Sequence, residues 1–207
     1  MNNTALHIEN LYVTFDNQQL FNGLNLKVGE NKKIAIKGIS GKGKSTLINI
    51  ILGFIPVLSG KISFYDMPVT SENIRTLRSR IAWVPQEVSS QIQVKDFIKY
   101  PLNFKTNKKV SYKKEILDEY LNEFQLDDTI LAKSMNEISG GEKQRIALIT
   151  ALMLNRKFLL LDEPISSLDN QSKEKVINHI FNIKDITVLS TSHDEKWLEK
   201  CDEVIEL

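Results

Sequence analysis

The sequence predicts an α/β fold with a mainly parallel core sheet, an antiparallel β sub-domain and a helical sub-domain. Two observations carry this prediction. Continuous apolar runs that end in polar residues are typical of parallel strands covered on both faces, and the chain has three of them, "RIAWVPQ" (80–86), "FLLLDEP" (158–164) and "ITVLSTSH" (186–193). Between the first two runs, residues 87–145 are charged and have helical periodicity, which indicates a helical insertion into the core.

The size and composition of the chain suit one globular domain. It has 207 residues, of which 42% are hydrophobic and 26% charged, enough to bury a sizeable core. The formal net charge of +1 gives no reason to expect a nucleic-acid partner, and we expect none. Because Cys201 is the single cysteine, an internal disulfide and a cysteine-based metal site are excluded, and a reducing compartment is favoured.

The sequence contains no segment that we expect to cross a membrane. The longest apolar stretch, residues 47–58, is interrupted by Asn49, Gly53 and Pro56, and it is shorter than the roughly 20 residues that a spanning helix needs. The first ten residues lack the positive and apolar segments of a secretory signal. We therefore expect any link to a membrane to come through a partner.

The antiparallel β sub-domain is predicted from alternating residues near the start of the chain. Period-two patterning between turn residues is typical of half-buried antiparallel strands, and it is shown by Ile8, Leu11, Val13 and Phe15, then by Leu24, Leu26 and Val28. A short apolar strand (32–38), a glycine-rich loop, a helix from Ser45 to Leu52 and another strand (60–66) are predicted to follow.

Later helices are predicted from apolar residues at helical spacing. The inward face of the insertion comprises Ile116, Tyr120, Leu121 and Phe124, and that of a helix over 172–183 comprises Val176, Ile180 and Phe181. Trp83 and Trp197 are expected to be packing residues, and a last strand is predicted over 202–207.

The glycine-rich loop matches a phosphate-binding motif. "GISGKGKST" (38–46) fits G-x-x-x-x-G-K-[ST] in full and lies between a predicted strand and a predicted helix. Its glycines allow backbone N–H groups to face phosphate oxygens, Lys44 would reach the β- and γ-phosphates, and the Ser45 hydroxyl would bind Mg²⁺. The expected nucleotide-binding residues of the loop are Gly38, Ser40, Gly41, Lys42, Gly43, Lys44, Ser45 and Thr46.

Two adjacent carboxylates end the second apolar run. Asp162 and Glu163 follow four apolar residues, and carboxylates at the end of a buried strand are costly unless a cation or a water network uses them. Asp162 is placed to hold Mg²⁺, directly or through water. Glu163 is the candidate general base that would activate the attacking water.

A second glycine turn raises the question of what it binds. "ISGGEKQR" (138–145) opens an amphipathic helix, and the exposed N–H groups and dipole of a helix N-terminus favour an anion. The chain therefore carries two helix starts suited to phosphate.

Together, "GISGKGKST", "ISGGEKQR" and "FLLLDEP" resemble the motifs of the ATP-binding subunit of an ABC transporter, in order and separation, across essentially the whole chain. The resemblance implies a P-loop NTPase of ABC type that uses ATP and Mg²⁺. It implies one ABC ATPase domain over 1–207, with an α/β core and β sub-domain in 1–86 and 146–207 and a helical sub-domain in 87–145. Ile138 and Glu142 depart from the usual leucine and glutamine, and neither change removes a named contact.

The resemblance also answers the question about the second turn. In this family two subunits, either identical or homologous, pack head to tail. Each subunit's Ser-Gly-Gly turn contacts the γ-phosphate of the ATP that the other holds, so Ser139, Gly140 and Gly141 are implied to bind the partner's ATP. An ATP molecule would then bridge two surfaces and could close the pair through its differential affinity.

Four further positions take roles from the resemblance. Gln86 corresponds to a glutamine that senses Mg²⁺ and links to the membrane partner, and His193 to a histidine that contacts the γ-phosphate, joining Glu163 and Lys44 in the catalytic set. Asp169 lies in the loop that communicates between the paired sites. Phe15 corresponds to an aromatic that stacks on adenine, although packing within the β sub-domain is the alternative.

The resemblance implies an ATP-hydrolysing subunit that drives transport through a transmembrane permease and lies peripherally at the cytoplasmic face of a bacterial inner membrane. Residues 126–148 resemble an iron-export subfamily, while lipoprotein, peptide and macrolide exporters remain alternatives. Two other classes stay open, a soluble non-transport ABC ATPase and a small P-loop kinase. The kinase alternative gives no role to "SGGEKQR", Gln86 or His193.

Overall fold

The computed structural model describes residues 4–15, 18–39, 41–57 and 59–207, and these residues form nine strands and seven α-helices. The strands are β1 (Thr4–Phe15), β2 (Gln18–Gly29), β3 (Lys33–Lys37), β4 (Ser59–Phe64), β5 (Met67–Pro68), β6 (Ile81–Val84), β7 (Phe158–Asp162), β8 (Thr187–Thr191) and β9 (Glu203–Glu206). The α-helices are α1 (Lys44–Ile51), α2 (Ile74–Arg78), α3 (Val94–Lys99), α4 (Lys114–Glu123), α5 (Gly140–Met153), α6 (Asn170–Asn182) and α7 (Glu195–Lys200).

The core sheet is parallel, with strand order β6-β7-β8-β3-β9. The three apolar runs form β6, β7 and β8, which confirms the predicted parallel core. Every residue of β7 and β8 is buried, because both faces of these strands are covered. Polar side chains that follow the runs therefore meet at the carboxyl-terminal edge of the sheet.

The predicted antiparallel sheet is confirmed, with strand order β2-β1-β4-β5. The long strands β1 and β2 pair along their length through several irregularities, one of them near Asn10, whose φ is +48°. Gly60 in β4 has φ +102°, and a Cβ there would lie 2.6 Å from the carbonyl oxygen of Asn10. A side chain at position 60 would therefore disrupt the pairing of β1 with β4.

The parallel sheet separates two hydrophobic cores. On one face it packs against α1 and the antiparallel sheet, and on the other against α3, α4, α5, α6 and α7. Strand β7 alternates between these faces, with Phe158 and Leu160 in the first core and Leu159 and Leu161 in the second. Because side chains alternate along a strand, Asp162 continues the series that faces α1.

Helices α3 and α4 of the region 87–145 pack against α5, which runs without a break through residue 145. The buried face of α4 comprises Leu117 and Leu121 and continues to Phe124, the residue that caps the C-terminus of the helix. These residues have the spacing i, i+4 and i+7. Ile116 and Tyr120, which were predicted to face inward, are half-buried. The predicted face is thus rotated by part of a turn, because Leu117 takes the central place.

The two tryptophans differ in environment. Trp197 is fully buried, its Nε1 donates to the Ser190 hydroxyl at 2.8 Å, and it stacks edge-on with Phe181. Trp83, also predicted to be a packing residue, is 39% exposed and packs against Phe54 at the surface. Within the described part of the chain, no helix has the length and apolar character required to cross a bilayer.

Candidate functional site

A cleft of about 1130 Å³ opens where the carboxyl ends of β3, β6, β7 and β8 meet the start of α1. It brings together predicted residues that are far apart in the sequence. The predicted residues that line it are Gly38, Gly41, Lys42, Gly43, Lys44, Ser45, Thr46, Gln86, Asp162, Glu163 and His193. The parallel topology explains this convergence, because ligands of open α/β sheets bind outside the carboxyl ends of the strands.

Glycines shape the predicted phosphate-binding loop between β3 and α1. Gly43 caps α1 at φ +87°, in the left-handed region that other residues adopt at a cost. A Cβ at Gly43 would also lie 3.0 Å from the ring of Phe21. The first N–H groups of α1 have no acceptor inside the helix, and the helix dipole makes this end positive. The loop therefore presents donors that suit phosphate oxygens.

Lys44 lies folded over its own loop. Its Nζ donates to the carbonyl oxygen of Gly38 at 2.6 Å and reaches that of Ile39 at 3.4 Å. The ammonium is thus held at the cleft by two neutral acceptors. A phosphate oxygen would be a stronger acceptor, because its negative charge adds direct Coulomb attraction to the ammonium.

The adjacent carboxylates differ in backbone conformation. Asp162 ends β7 in regular strand geometry, and Glu163 follows it with φ +47°, which turns the chain sharply away from the sheet. Both residues are nearly buried, at 6% exposure, yet both line the cleft. The Glu163 carboxylate lies 3.0 Å (Oε2) from Nδ1 of His193, whose side chain is 71% exposed.

Sequence reasoning missed Thr191, the last residue of β8. Its buried hydroxyl donates to Oδ1 of Asp162 at 2.6 Å and accepts from the backbone N–H of Glu163 at 2.9 Å. The available signal was the polar ending of the run "ITVLSTSH". Leu20, Glu206 and Leu207 also line the cleft without having been predicted to do so.

The oxygen donors around the cleft fit Mg²⁺. Asp162 offers a carboxylate, Ser45 a hydroxyl and Gln86 a side-chain amide. Mg²⁺ prefers such ligands and is usually held by one or two carboxylates together with substrate phosphates. Within the described residues, no group of three or more His, Cys, Asp and Glu side chains could hold a metal ion. Phosphate oxygens and water would therefore complete the coordination.

The predicted Ser-Gly-Gly turn, Ser139 to Gly141, lies outside the lining of this cleft. Ser139 caps α5 in a capping box: its hydroxyl accepts from the Glu142 N–H at 3.3 Å, and the Glu142 carboxylate accepts from the Ser139 N–H at 2.8 Å. The hydrogen bond from the Ser139 backbone keeps the pKa of Glu142 below its ordinary value. The turn is thus a preformed helix start with exposed donors.

The Ser-Gly-Gly turn packs against the loop that joins β7 to α6. The Ser167 hydroxyl donates to the Gly140 carbonyl oxygen at 3.4 Å, and a Cβ on Gly141 would lie 3.1 Å from the Ser167 carbonyl oxygen. Asp169 caps α6 in the same loop, and hydrogen bonds from the N–H and hydroxyl of Ser172 lower its pKa. Asp169 therefore belongs with the turn, apart from the cleft.

A half-buried arginine fixes the start of α5. Arg145 donates through Nη1 to the carbonyl oxygens of Phe124 and Gln125, at 2.8 and 3.1 Å. Burial lowers the pKa of its guanidinium, while Asp169 and Glu142 oppose this effect. The contact ties the Ser-Gly-Gly turn to the end of α4.

Two predicted residues have no described side-chain position. Ser40 lies outside the described residues. Phe15 ends β1, but its side chain lies outside the description, so its predicted adenine contact stays a prediction.

Comparison with known proteins gives consistent matches. Residues 21–166 match the family model described as ABC transporter. The chain is 33% identical, over 100% of its own length and 92% of the relative's, to an Escherichia coli protein named "Probable iron export ATP-binding protein FetA". It is 29% identical, over 97% of its length and 70% of the relative's, to the energy-coupling factor transporter ATP-binding protein EcfA1 of Ureaplasma parvum.

Other similar proteins include much longer ones. The chain is 35% identical over 97% of its length to a Rickettsia typhi protein named for export ATP-binding/permease, but it spans only 36% of that protein. Among solved structures, a dimeric bacterial ABC transporter cassette has a TM-score of 0.86 at 23% identity, over 98% of this chain and 94% of that one. An ATP-bound bacterial Atm1-family exporter has a TM-score of 0.87 at 22% identity, over 100% of this chain and 38% of that one. These structural likenesses establish the fold.

Proposed function

The chain belongs to the ABC transporter family as an ATP-binding domain, and we propose that two such domains bind and hydrolyse ATP between them to drive transport through a transmembrane permease. One observation carries the proposal. The glycine loop, the two carboxylates, Gln86 and His193 all line the cleft. The Ser-Gly-Gly turn, which is also predicted to bind phosphate, lies elsewhere on the same chain. A turn with exposed donors that lies outside the cleft fits a role toward a second subunit.

In the proposed site, the cleft binds the phosphates of ATP. The N–H groups of the loop and of the start of α1 donate to phosphate oxygens, and the Lys44 ammonium exchanges the Gly38 carbonyl for the β- and γ-phosphates. Ser45 and Asp162 would hold Mg²⁺, with Gln86 beside them. When bound, Mg²⁺ would neutralise phosphate charge.

Glu163 and His193 are the proposed catalytic pair. The Glu163 carboxylate accepts a proton from the water that attacks the γ-phosphate. Because a carboxylate only accepts hydrogen bonds, the His193 Nδ1 atom beside it is the donor, which orients the carboxylate. The exposed imidazole can also donate to a γ-phosphate oxygen when it is protonated.

The partner's Ser-Gly-Gly turn completes the proposed site. Ser139 uses hydroxyl lone pairs to cap α5, which leaves its O–H hydrogen free to donate outward, beside the N–H groups of Gly140 and Gly141. ATP in the cleft then bridges two chains, so it favours the closed pair by its additional contacts there. Hydrolysis separates the γ-phosphate from the nucleotide and removes that bridge, so the pair opens.

A permease is the proposed membrane partner, which would place the chain peripherally at the cytoplasmic face of the membrane. Support comes from the names of its relatives and from two exposed aromatic residues. One follows helix α1, and the other lies shortly before Gln86. Phe54, after α1, is 52% exposed and touches Trp83, which lies on β6 three residues before Gln86. A partner that covers this pair would contact the strand that carries Gln86 to the cleft.

Iron export is the proposed cargo function. The relative named for iron export matches this chain over nearly the whole length of both proteins, whereas the export ATP-binding/permease relative extends far beyond it. Deleting the gene should raise the cellular iron content. Reintroducing the parent gene should return the iron content to its original level, whereas the Glu163→Gln gene should not. Unchanged iron after deletion would reject this cargo and leave the ATPase proposal intact.

ATP labelled on the γ-phosphate tests the reaction itself. The proposal predicts that the purified protein with Mg²⁺ releases the label as inorganic phosphate, because the acceptor is water. A small P-loop kinase would instead transfer the label to an added acceptor. Label that appears only on an acceptor, with no release to water, would overturn the proposed function.

A further inference from the structure

One buried hydroxyl contacts both residues that end β7. Thr191 ends β8, which lies between β7 and β3, and its side chain is fully buried. Its Oγ1 is 2.6 Å from Oδ1 of Asp162 and 2.9 Å from the backbone nitrogen of Glu163. The single hydroxyl therefore joins the carboxylate assigned to Mg²⁺ and the backbone of the residue assigned as base.

The direction of each hydrogen bond follows from the partners. A carboxylate only accepts, so the one hydroxyl hydrogen of Thr191 points to Asp162. The oxygen lone pairs then receive the N–H of Glu163, which also lies 3.2 Å from the Thr191 carbonyl oxygen. Among the described residues, Asp162 accepts its side-chain hydrogen bond through Oδ1. Oδ2 is thus left available to another ligand.

The same contact supports an uncommon backbone conformation. Glu163 has φ +47°, a left-handed conformation that is costly for a residue with a side chain and that clusters at active sites. Thr191 offers the Glu163 N–H two acceptors, its hydroxyl and its carbonyl oxygen. The turn that brings the Glu163 carboxylate beside His193 is therefore held from β8.

We propose that Thr191 is a positioning residue for the reaction, which fixes Asp162 for Mg²⁺ and holds the turn at Glu163. The inference rests on the roles proposed for Asp162 and Glu163 above. Thr191 is outside the lining of the cleft and acts through its neighbours. Partners that orient a metal ligand affect metal affinity or activity by about 10- to 100-fold when they are removed.

A purely structural role is the alternative, because a nearly buried carboxylate needs a donor in any case. The chain offers a matched control for this alternative. Thr187 lies at the other end of β8, is 1% exposed, and accepts a hydrogen bond from the Asn31 N–H at 2.9 Å. Thr187→Val removes a buried hydroxyl from the same strand at the end away from the cleft.

The test compares three variants, Thr191→Val, Thr191→Ser and Thr187→Val. Mn²⁺ is titrated into each protein in the presence of a non-hydrolysable ATP analogue, and free Mn²⁺ is followed by electron paramagnetic resonance. We expect Thr191→Val to weaken Mn²⁺ binding by about 10- to 100-fold and to leave the affinity for metal-free nucleotide unchanged. Thr191→Ser keeps the hydroxyl and should retain the Mn²⁺ affinity of the parent. Thr187→Val should bind Mn²⁺ as the parent does.

Parent-like Mn²⁺ affinity in Thr191→Val, or equal weakening in Thr187→Val, would overturn the inference. If the valine variant does not fold, Thr191→Cys keeps a similar volume with a weak donor, and it should bind Mn²⁺ less tightly than Thr191→Ser. Failure of the parent protein to bind the Mn²⁺–nucleotide complex at all would count against the proposed function instead.

Discussion

Nδ1 of His193 lies 3.0 Å from Oε2 of Glu163, although thirty positions separate the two residues in the chain. The contact exists because β7 and β8 are neighbours in the parallel sheet and each ends just before one of these residues. The candidate base and the candidate phosphate contact are thus brought together by the sheet topology, as the proposed hydrolysis requires.

Replacing Glu163 with Gln should slow turnover by about 10² to 10⁴, the usual contribution of general-base assistance. The amide has nearly the same shape but cannot accept a proton, so ATP affinity should be retained. Steady-state phosphate release and equilibrium nucleotide binding measure the two effects. Turnover equal to that of the parent would reject Glu163 as the base.

Replacing Lys44 with Ala should weaken ATP binding itself. Loss of a charged hydrogen bond costs about 1.5–3 kcal/mol, or roughly 10- to 150-fold in Kd. Isothermal titration with ATP measures this loss. Lys61→Ala is the matched control, because it removes an equal charge from an exposed position on β4, on the other sheet. Equal affinities in both variants would show that Lys44 does not contact the phosphates.

Replacing Ser139 with Asp should separate helix capping from phosphate binding. Asp caps a helix as well as Ser does and favours the helix dipole, so the thermal stability of the monomer should be kept. A carboxylate facing the partner's γ-phosphate should nevertheless block ATP-dependent association. Analytical ultracentrifugation with ATP measures this effect, and Ser139→Asn is the neutral control that also caps. Association of Ser139→Asp equal to that of Ser139→Asn would argue against the phosphate contact.

Burial raises the pKa of the Cys201 thiol to about 12, with Asp202 adding to the shift. Because the thiolate is the reactive form, iodoacetamide at about pH 8 should alkylate the folded protein slowly and the unfolded protein quickly, where the pKa is near 8.5. The raised folded pKa favours folding below the unfolded value, and this contribution is lost as pH rises toward the folded value. Mass spectrometry after timed quenching follows the reaction. Equal rates with and without urea would contradict the burial.

Much of the site could be predicted from the sequence because its residues follow recognisable runs. The glycine loop and the Asp162–Glu163 pair lie at the carboxyl ends of apolar strands, and parallel strands place such positions along one edge. Gln86 and His193 lie at the same edge, but their roles came from the family resemblance. The fold class followed from the same runs, since their continuous burial requires cover on both faces.

The features that were missed depend on contacts between distant segments. Arg145 gives no local sign that it binds the carbonyl oxygens of Phe124 and Gln125. Thr191 resembles any polar residue at a strand end until β7 is placed beside it. Trp83 was predicted only as a packing residue, and its position at the surface beside Phe54 was not foreseen. Local periodicity does not show which distant segments contact each other, and it did not show that Trp83 is exposed.

The most direct test of the shared site mixes two variants, Lys44→Ala and Ser139→Asp, both in the Glu163→Gln background, and measures ATP-dependent association by analytical ultracentrifugation. In either variant alone, every site between two chains contains one defect. In the mixed pair, one site combines the intact loop of Ser139→Asp with the intact turn of Lys44→Ala. We therefore predict that ATP produces a dimer from the mixture but from neither variant alone. A mixture that stays monomeric at ATP concentrations that dimerise the Glu163→Gln protein would contradict the claim that two chains share each nucleotide.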